Sequence, residues 1–244
     1  MSFASGIQTA LDAIYPARCL TCGDVVDSDF GLCGSCWRDT SFIGGTVCDC
    51  CGVPLPGADG GHTPQCDACL AAPHPWVQGR AALLYRETGR KLVLALKHGD
   101  RQEIAKPAAL WMAGAVRDCL EDHTLIVPIP LHWMRMIKRR YNQSALLARA
   151  LGDHLDRPYC LDLLERPKHT PSLDHKPRDE RHAILQNAIR VRAKRRHRLI
   201  GRPILLVDDV MTSGATLSAA TQALQAAGSG PVRVITLARV AKDT

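Results

Sequence analysis

The 244-residue chain is long enough for one large domain and a small one, and its 46% hydrophobic and 23% charged residues are ordinary for a globular protein. No window approaches the 18–20 uninterrupted apolar residues of a membrane-spanning helix, so such a span is excluded. The formal charge of +7 is a weak argument for a polyanion partner, because eight cysteines holding two zinc ions as thiolates would bring it to about +3.

Phe3, Ile7, Leu11 and Ile14 follow helical spacing and predict a short amphipathic helix over 1–15, stopped by Pro16. This stretch does not read as a signal peptide: it lacks a basic start, and Asp12 interrupts its apolar run. Eleven cysteines without a secretion signal argue for metal in a reducing cytoplasm rather than for disulfides.

Residues 16–73 hold nine of the eleven cysteines, eight of them in four C-x-x-C pairs: Cys19/Cys22, Cys33/Cys36, Cys48/Cys51 and Cys66/Cys69. One such knuckle presents two sulfurs to one tetrahedral ion, and intervals of ten and fourteen residues between successive knuckles suit zinc. A short segment rich in Gly, Pro and Asp buries little apolar surface, so metal binding must supply its folding free energy. Two zinc ribbons are predicted, pairs one and two on the first ion and pairs three and four on the second. Spacing leaves a crossed pairing open, and Cys50 leaves the register of the third knuckle open. Cys119 and Cys160 lie in apolar surroundings and read as small core residues.

Ala71-Ala72-Pro73-His74-Pro75 marks a boundary, and residues 76–244 read as a second domain in which strands alternate with helices. Strands are expected at 81–85, 124–130, 188–191 and 203–207, and helices at 88–96, 103–120, 142–155 and 215–227. Lys97-His98-Gly99-Asp100 reads as a turn. Such alternation predicts an α/β fold, a parallel sheet with helices on both faces, preceded by the small Cys-rich double ribbon. Residues 165–181 have no apolar period and should be a mobile excursion; residues 190–202 carry seven Arg or Lys and no acid, the pattern of either a solvated loop or a polyanion contact.

The most informative stretch follows Pro203. An apolar run ends at Val207 in two acids, Asp208 and Asp209, then a small hydroxyl-rich turn and a helix from Ala215. Small side chains from Thr212 through Ser213, Gly214 and Ala215 to Thr216 let several backbone N–H groups converge on one phosphate at the helix N-terminus. Two carboxylates beside that cradle suit the hydroxyls of a ribose or a magnesium-bound sugar phosphate. Neither a Walker loop nor G-x-G-x-x-G is present.

This strand, acid pair and Thr-Ser-Gly-Ala-Thr turn resemble the phosphoribosyl-pyrophosphate (PRPP) motif of type I phosphoribosyltransferases. Together with the knuckles, Lys97-His98-Gly99-Asp100 and Arg139-Arg140-Tyr141-Asn142-Gln143, they make nearly the whole chain resemble the ComF family, double-zinc-ribbon proteins with a phosphoribosyltransferase domain linked to natural competence and DNA use. The resemblance implies that backbone groups of Thr212–Thr216 bind the 5′-phosphate and that Asp208 and Asp209 hold the ribose hydroxyls, with Mg2+ accompanying PRPP. It implies that Lys97 serves the pyrophosphate, and that Arg139, Asn142 and Gln143 face the cleft. Arg140, Tyr141, Ser172, Ile184 and Ile189 depart from the family's usual Gly, Phe, Gln, Asn and Phe, which puts the acceptor half of the site in doubt.

Two readings of function follow. In the first, an enzyme transfers ribose 5-phosphate from PRPP to a nitrogen nucleophile, cations offsetting the charge of the leaving pyrophosphate. In the second, the ribbons and the basic segments 135–140 and 190–202 contact single-stranded DNA alongside DNA-uptake proteins, and the PRPP site is sensory or a relic. A PRPP-sensing regulator ranks behind both, since no helix-turn-helix is evident.

Overall fold

The structure is a computed structural model, and it describes residues 16–26, 31–57, 63–98, 100–131, 141–167 and 188–241. The expected helix at 1–15, most of the excursion at 165–181 and the residues Arg139, Ser172 and Ile184 lie outside these.

Two short helices, α1 (Gly34–Arg38) and α2 (Asp67–Ala71), belong to the Cys-rich segment. There follow β1 (Gln78–Leu84), α3 (Glu87–His98), α4 (Ala105–Val116), β2 (Leu125–Pro128), α5 (Gln143–Leu155), β3 (Leu164–Glu165), β4 (Arg190–Val191), β5 (Ile204–Met211), α6 (Ala215–Ala226) and β6 (Val232–Arg239). Single 3-10 turns flank α4 and precede β5.

Four strands form one parallel sheet in the order β1-β6-β5-β2, and β3 and β4 form a separate antiparallel pair. The expected α/β architecture is therefore the observed one. The central strands β5 and β6 are buried at most positions, as expected of strands covered on both faces. Ile126, Leu205, Val207, Ile235 and Leu237 share one core with α3, α4 and α5. Leu125, Val127, Ile204, Leu206, Val232 and Val234 share the other with α6.

Two expectations need correction. Strand β5 does not stop at Val207 but runs on through both acids to Met211, because its ladder with β6 continues to Met211↔Arg239. Lys97 is not in a turn; it occupies the last turn of α3. The backbone reverses only afterwards, at Asp100, which has a φ of 53°.

The Cys-rich segment covers the free edge of β1, where unpaired N–H and C=O groups would otherwise invite another strand. Ile43 N–H donates to Ala82 O at 2.9 Å and Leu84 N–H to Ser41 O at 2.9 Å. Further along, Gly79 N–H donates to Asp49 O at 2.9 Å. The segment also straddles this edge. Leu20 joins the core with α3–α5, whereas Cys48, Cys51, Cys69 and Trp76 join the core with α6.

Candidate functional site

The thiols settle the pairing question. The sulfurs of Cys19, Cys22, Cys33 and Cys36 lie within 4.8 Å of one another, and so do those of Cys48, Cys51, Cys66 and Cys69. Pairs one and two converge, pairs three and four converge, and Cys51 rather than Cys50 completes the third knuckle. Each helix that follows an upstream cysteine turns its knuckle inward: Cys33 and Cys66 stand at the N-caps of α1 and α2. Backbone N–H groups point at sulfur, Cys33 N to Cys19 Sγ and Cys66 N to Cys48 Sγ, both at 3.3 Å, which favours thiolate.

Burial pushes the Cys19 thiol up, but N–H donation from Cys22, Cys33 and Thr21 outweighs it and brings the group down to about 6. The Cys51 side chain lowers Cys48 to about 4, against the effect of burial. Four sulfurs at this separation, with Cys19 in one set and Cys48 in the other favoured as thiolates, are the donor set of a closed structural zinc site. Both clusters fit that ion.

The second site lies at the carboxyl edge of the sheet. Ser144 Oγ donates to Asp208 Oδ1 at 2.8 Å, and Asp209 N–H donates to the same oxygen at 2.9 Å. Lys97 Nζ, from the end of α3, stands 3.3 Å from Asp209 Oδ2. Burial pushes the Asp208 carboxyl up to about 7, and the Asp209 charge acts in the same direction; the Ser144 and Asp209 donors only partly offset them. One acid is thus poised to hold or release a proton near neutrality while its neighbour is paired with a lysine.

Beyond the acids the chain turns at Gly214, whose φ of 75° is in the left-handed region, and α6 starts at Ala215. The N-cap of α6 is Gly214, which has no side chain to offer the first-turn N–H groups. Thr212 is exposed and Ser213 and Thr216 are half-buried around them. Such an end accepts an anion. Arg239 Nη1, at the end of neighbouring β6, donates to Met211 O at 3.1 Å and Thr212 O at 2.7 Å, fixing the start of this loop.

The structure brings Lys97, Asp208 and Asp209 together. It spends Asn142 on architecture: its Oδ1 accepts from Ser144 N at 3.1 Å to cap α5, and its Nδ2 donates to Ile129 O at 3.0 Å. Gln143 is buried, with Nε2 3.5 Å from Lys97 O. Tyr141 OH donates to Leu96 O at 2.7 Å, so this segment braces the end of α3 that presents Lys97. Arg139 lies outside the described residues.

Sequence reasoning missed Ser144, Arg239, His74 and Trp76. Ser144 carried a weak signal, a hydroxyl directly after the Asn-Gln pair; Arg239 needed the strand order. The basic stretch 190–202 is largely engaged: Arg190 and Arg192 pair with Glu165, Arg195 pairs with Asp162, and Arg202 Nε donates to His123 O.

Two four-thiol clusters ahead of a parallel sheet, with paired acids and a glycine-led helix N-terminus at its carboxyl edge, define a zinc-ribbon protein carrying a phosphoribosyltransferase-type domain. Residues 10–70 match the double zinc ribbon domain and residues 142–244 the phosphoribosyl transferase domain. Competence protein F of Haemophilus influenzae is 30% identical over 91% of this chain and 96% of its own length. The DNA utilization protein YhgH of Escherichia coli K12 is 30% identical over 86% of this chain and 91% of its own. Competence protein ComFC of Bacillus subtilis is 27% identical over 80% and 78%. The chain belongs to the ComF/YhgH family. Among the described residues no helix is long and apolar enough to cross a membrane.

Proposed function

We propose that this protein binds PRPP at the carboxyl edge of β5 and acts in the uptake or utilisation of DNA, a reading supported by its likeness to a competence protein of Haemophilus and a DNA utilization protein of Escherichia. The observation that carries the reading is the N-terminus of α6, led by Gly214 a few residues after two acids, one of them paired with Lys97. The N–H groups from Thr212 to Thr216 receive the 5′-phosphate, Asp208 and Asp209 hold the ribose hydroxyls, and Lys97 serves the pyrophosphate. Asp208 and Asp209 would also hold Mg2+, which supplies charge neutralisation at the phosphates. On the same reading residues 16–73 form the double ribbon and residues 76–244 the transferase domain.

Such a site can transfer ribose 5-phosphate: the bond from C1′ to pyrophosphate oxygen breaks, a bond from C1′ to a nitrogen nucleophile forms, and the nucleophile loses its proton. Ser144 keeps Asp208 oriented, and the raised carboxyl of Asp208 is able to exchange a proton near neutrality. The acceptor is a separate matter from PRPP binding, and the decisive test precedes it. Calorimetric titration of PRPP with magnesium should give saturable binding in the wild type, and Asp208→Asn with Asp209→Asn should abolish it. Undiminished binding in the double variant, or none in the wild type, sinks the proposal.

A further inference from the structure

The three residues joining the ribbons to the sheet each hold a different partner, and together they reach from a zinc cluster to the phosphate loop. Trp76 Nε1–H donates to Cys50 O at 2.6 Å, and Cys50 lies between the ligands Cys48 and Cys51. Gly79 also comes close to the Cys50 carbonyl, since a Cβ placed on it would sit 2.4 Å from that oxygen. Pro75 O accepts from Gln225 Nε2 of α6 at 2.9 Å. His74 Nδ1 is 3.4 Å from Ser218 Oγ, one turn into α6. The His74 and Trp76 rings stack, with centroids 4.1 Å apart and planes 9° apart.

The edges of both rings meet at Gly214. A Cβ there would lie 2.9 Å from His74 Cε1 and 2.9 Å from Trp76 Cη2, so the rings occupy the space a side chain would take. Gly214 is the left-handed residue that turns the loop into α6 and aims its N–H groups. Loss of the stack would free Gly214 to sample other conformations, because glycine has few of its own restraints. A preorganised cradle binds more tightly than one that must be ordered on arrival of the ligand.

We infer that His74 and Trp76 are positioning residues for the phosphate loop, and that through Cys50 they make the loop's geometry depend on metal in the Cys48/Cys51/Cys66/Cys69 cluster. The inference rests on the PRPP reading above. It asserts a coupling between two sites, and such a coupling is reciprocal: metal in the second ribbon strengthens PRPP binding, and PRPP strengthens retention of that metal by the same factor.

The test uses the full-length protein. Trp76→Phe keeps an aromatic ring but removes the N–H to Cys50 O and the indole edge that lies against Gly214; His74→Ala removes the stack. Both should fold, retain two zinc ions, and weaken PRPP binding by about tenfold, inside the ~5–150-fold range of site-to-site couplings. The second readout is zinc release to a chromogenic chelator, followed in a Cys19→Ser/Cys22→Ser background so that only the second cluster reports. Saturating PRPP should slow release about tenfold there, and Trp76→Phe should cancel the protection. A purely structural role of the tryptophan would speed release with and without PRPP alike, and that result overturns the coupling. Wild-type PRPP affinity retained in both linker variants overturns it too, while leaving the PRPP site standing. Absence of PRPP binding in the wild type removes both proposals together.

Discussion

The two ribbons are built from the same C-x-x-C knuckles, yet they sit in different surroundings. In the first, Cys19 and Cys36 are buried, Cys22 is exposed and Cys33 half-buried, and none of the four joins a core cluster; Leu20, Leu32 and Phe42 seat this segment on the α3–α5 core. In the second, Cys48 and Cys51 are fully buried and Cys69 nearly so, and all three are members of the core shared by the sheet and α6. The first ribbon's thiols thus stand beside the core and are tied to it by neighbouring apolar side chains, whereas the second ribbon's thiols are part of the sheet's own packing. Metal-ligand spacing specifies the ion in both cases. What the ion supports is decided by which apolar surface the knuckle meets.

The largest expected difference comes from removing one ligand on each side. Cys51→Ser should lose one zinc and lower the unfolding midpoint of the sheet by about 10 °C or more, since structural zinc contributes several kcal/mol and each kcal/mol is about 2–4 °C in a chain of this size. Cys22→Ser should lose one zinc and leave that midpoint within about 2 °C. Zinc content by metal analysis and calorimetric scans measure both, and equal drops would break the comparison.

Next in size is the pH response of the acid pair, which should ignore the first ribbon altogether. Asp208 binds its proton more tightly folded than unfolded, its carboxyl rising from 3.8 to about 7. Between these values the native state holds more protons than the unfolded chain, so wild-type stability falls as pH rises from about 4 to about 7, by up to a few kcal/mol. Asp208→Asn should flatten that slope and Cys22→Ser should not touch it, in denaturant titrations at a series of pH values. A slope unchanged by Asp208→Asn refutes the assignment.

A smaller effect is steric. Gly79→Ala forces a methyl against Cys50 O, 2.4 Å from the ideal Cβ, and should cost about 1–3 kcal/mol by parting the second ribbon from β1. In the first ribbon Gly34 has no neighbour within 4 Å of that position, so Gly34→Ala should be neutral or stabilise α1 by up to ~1 kcal/mol. Denaturant midpoints separate the two variants.

Much of this was legible in the chain itself, and the limits have physical causes. Both four-thiol sets, the alternation of strands and helices, and the stretch from Asp208 to Thr216 depend on residues close in sequence, where spacing and periodicity carry the information. Strand order was not legible: β6 lies between β1 and β5, a choice made by long-range packing. The partners of the acid loop were missed for the same reason. Ser144 reaches Asp208 across two elements, Arg239 reaches Thr212 only because β6 neighbours β5, and His74 reaches Ser218 from beyond the boundary of the ribbons. The run of β5 past Val207 was misread because acids usually end a strand, whereas here one is held by Ser144 and the other by Lys97.

The finest test of the ribbon comparison uses side chains that touch the sheet without touching metal. Asp49 Oδ1, in the second ribbon, accepts from Arg80 Nη2 at 2.7 Å and from Gln78 Nε2 at 2.5 Å, and the Arg80 and Asp49 side chains are about one-fifth exposed, 19% and 22%. Its counterpart in the first ribbon's tail, Ser41 Oγ, accepts from Arg86 Nε at 3.0 Å in an exposed setting. Partial burial leaves the Asp49 pair some of the strength that water removes from a surface pair, so Asp49→Asn should cost up to about 1 kcal/mol. Ser41→Ala should fall within about 0.5 kcal/mol of zero. High salt should shrink the Asp49 effect by screening and leave Ser41 unchanged. Should both substitutions cost the same at low and high salt, the second ribbon's polar seam would be no more integral to the sheet than the first's, and its integration would rest on the buried cysteines and Trp76 alone.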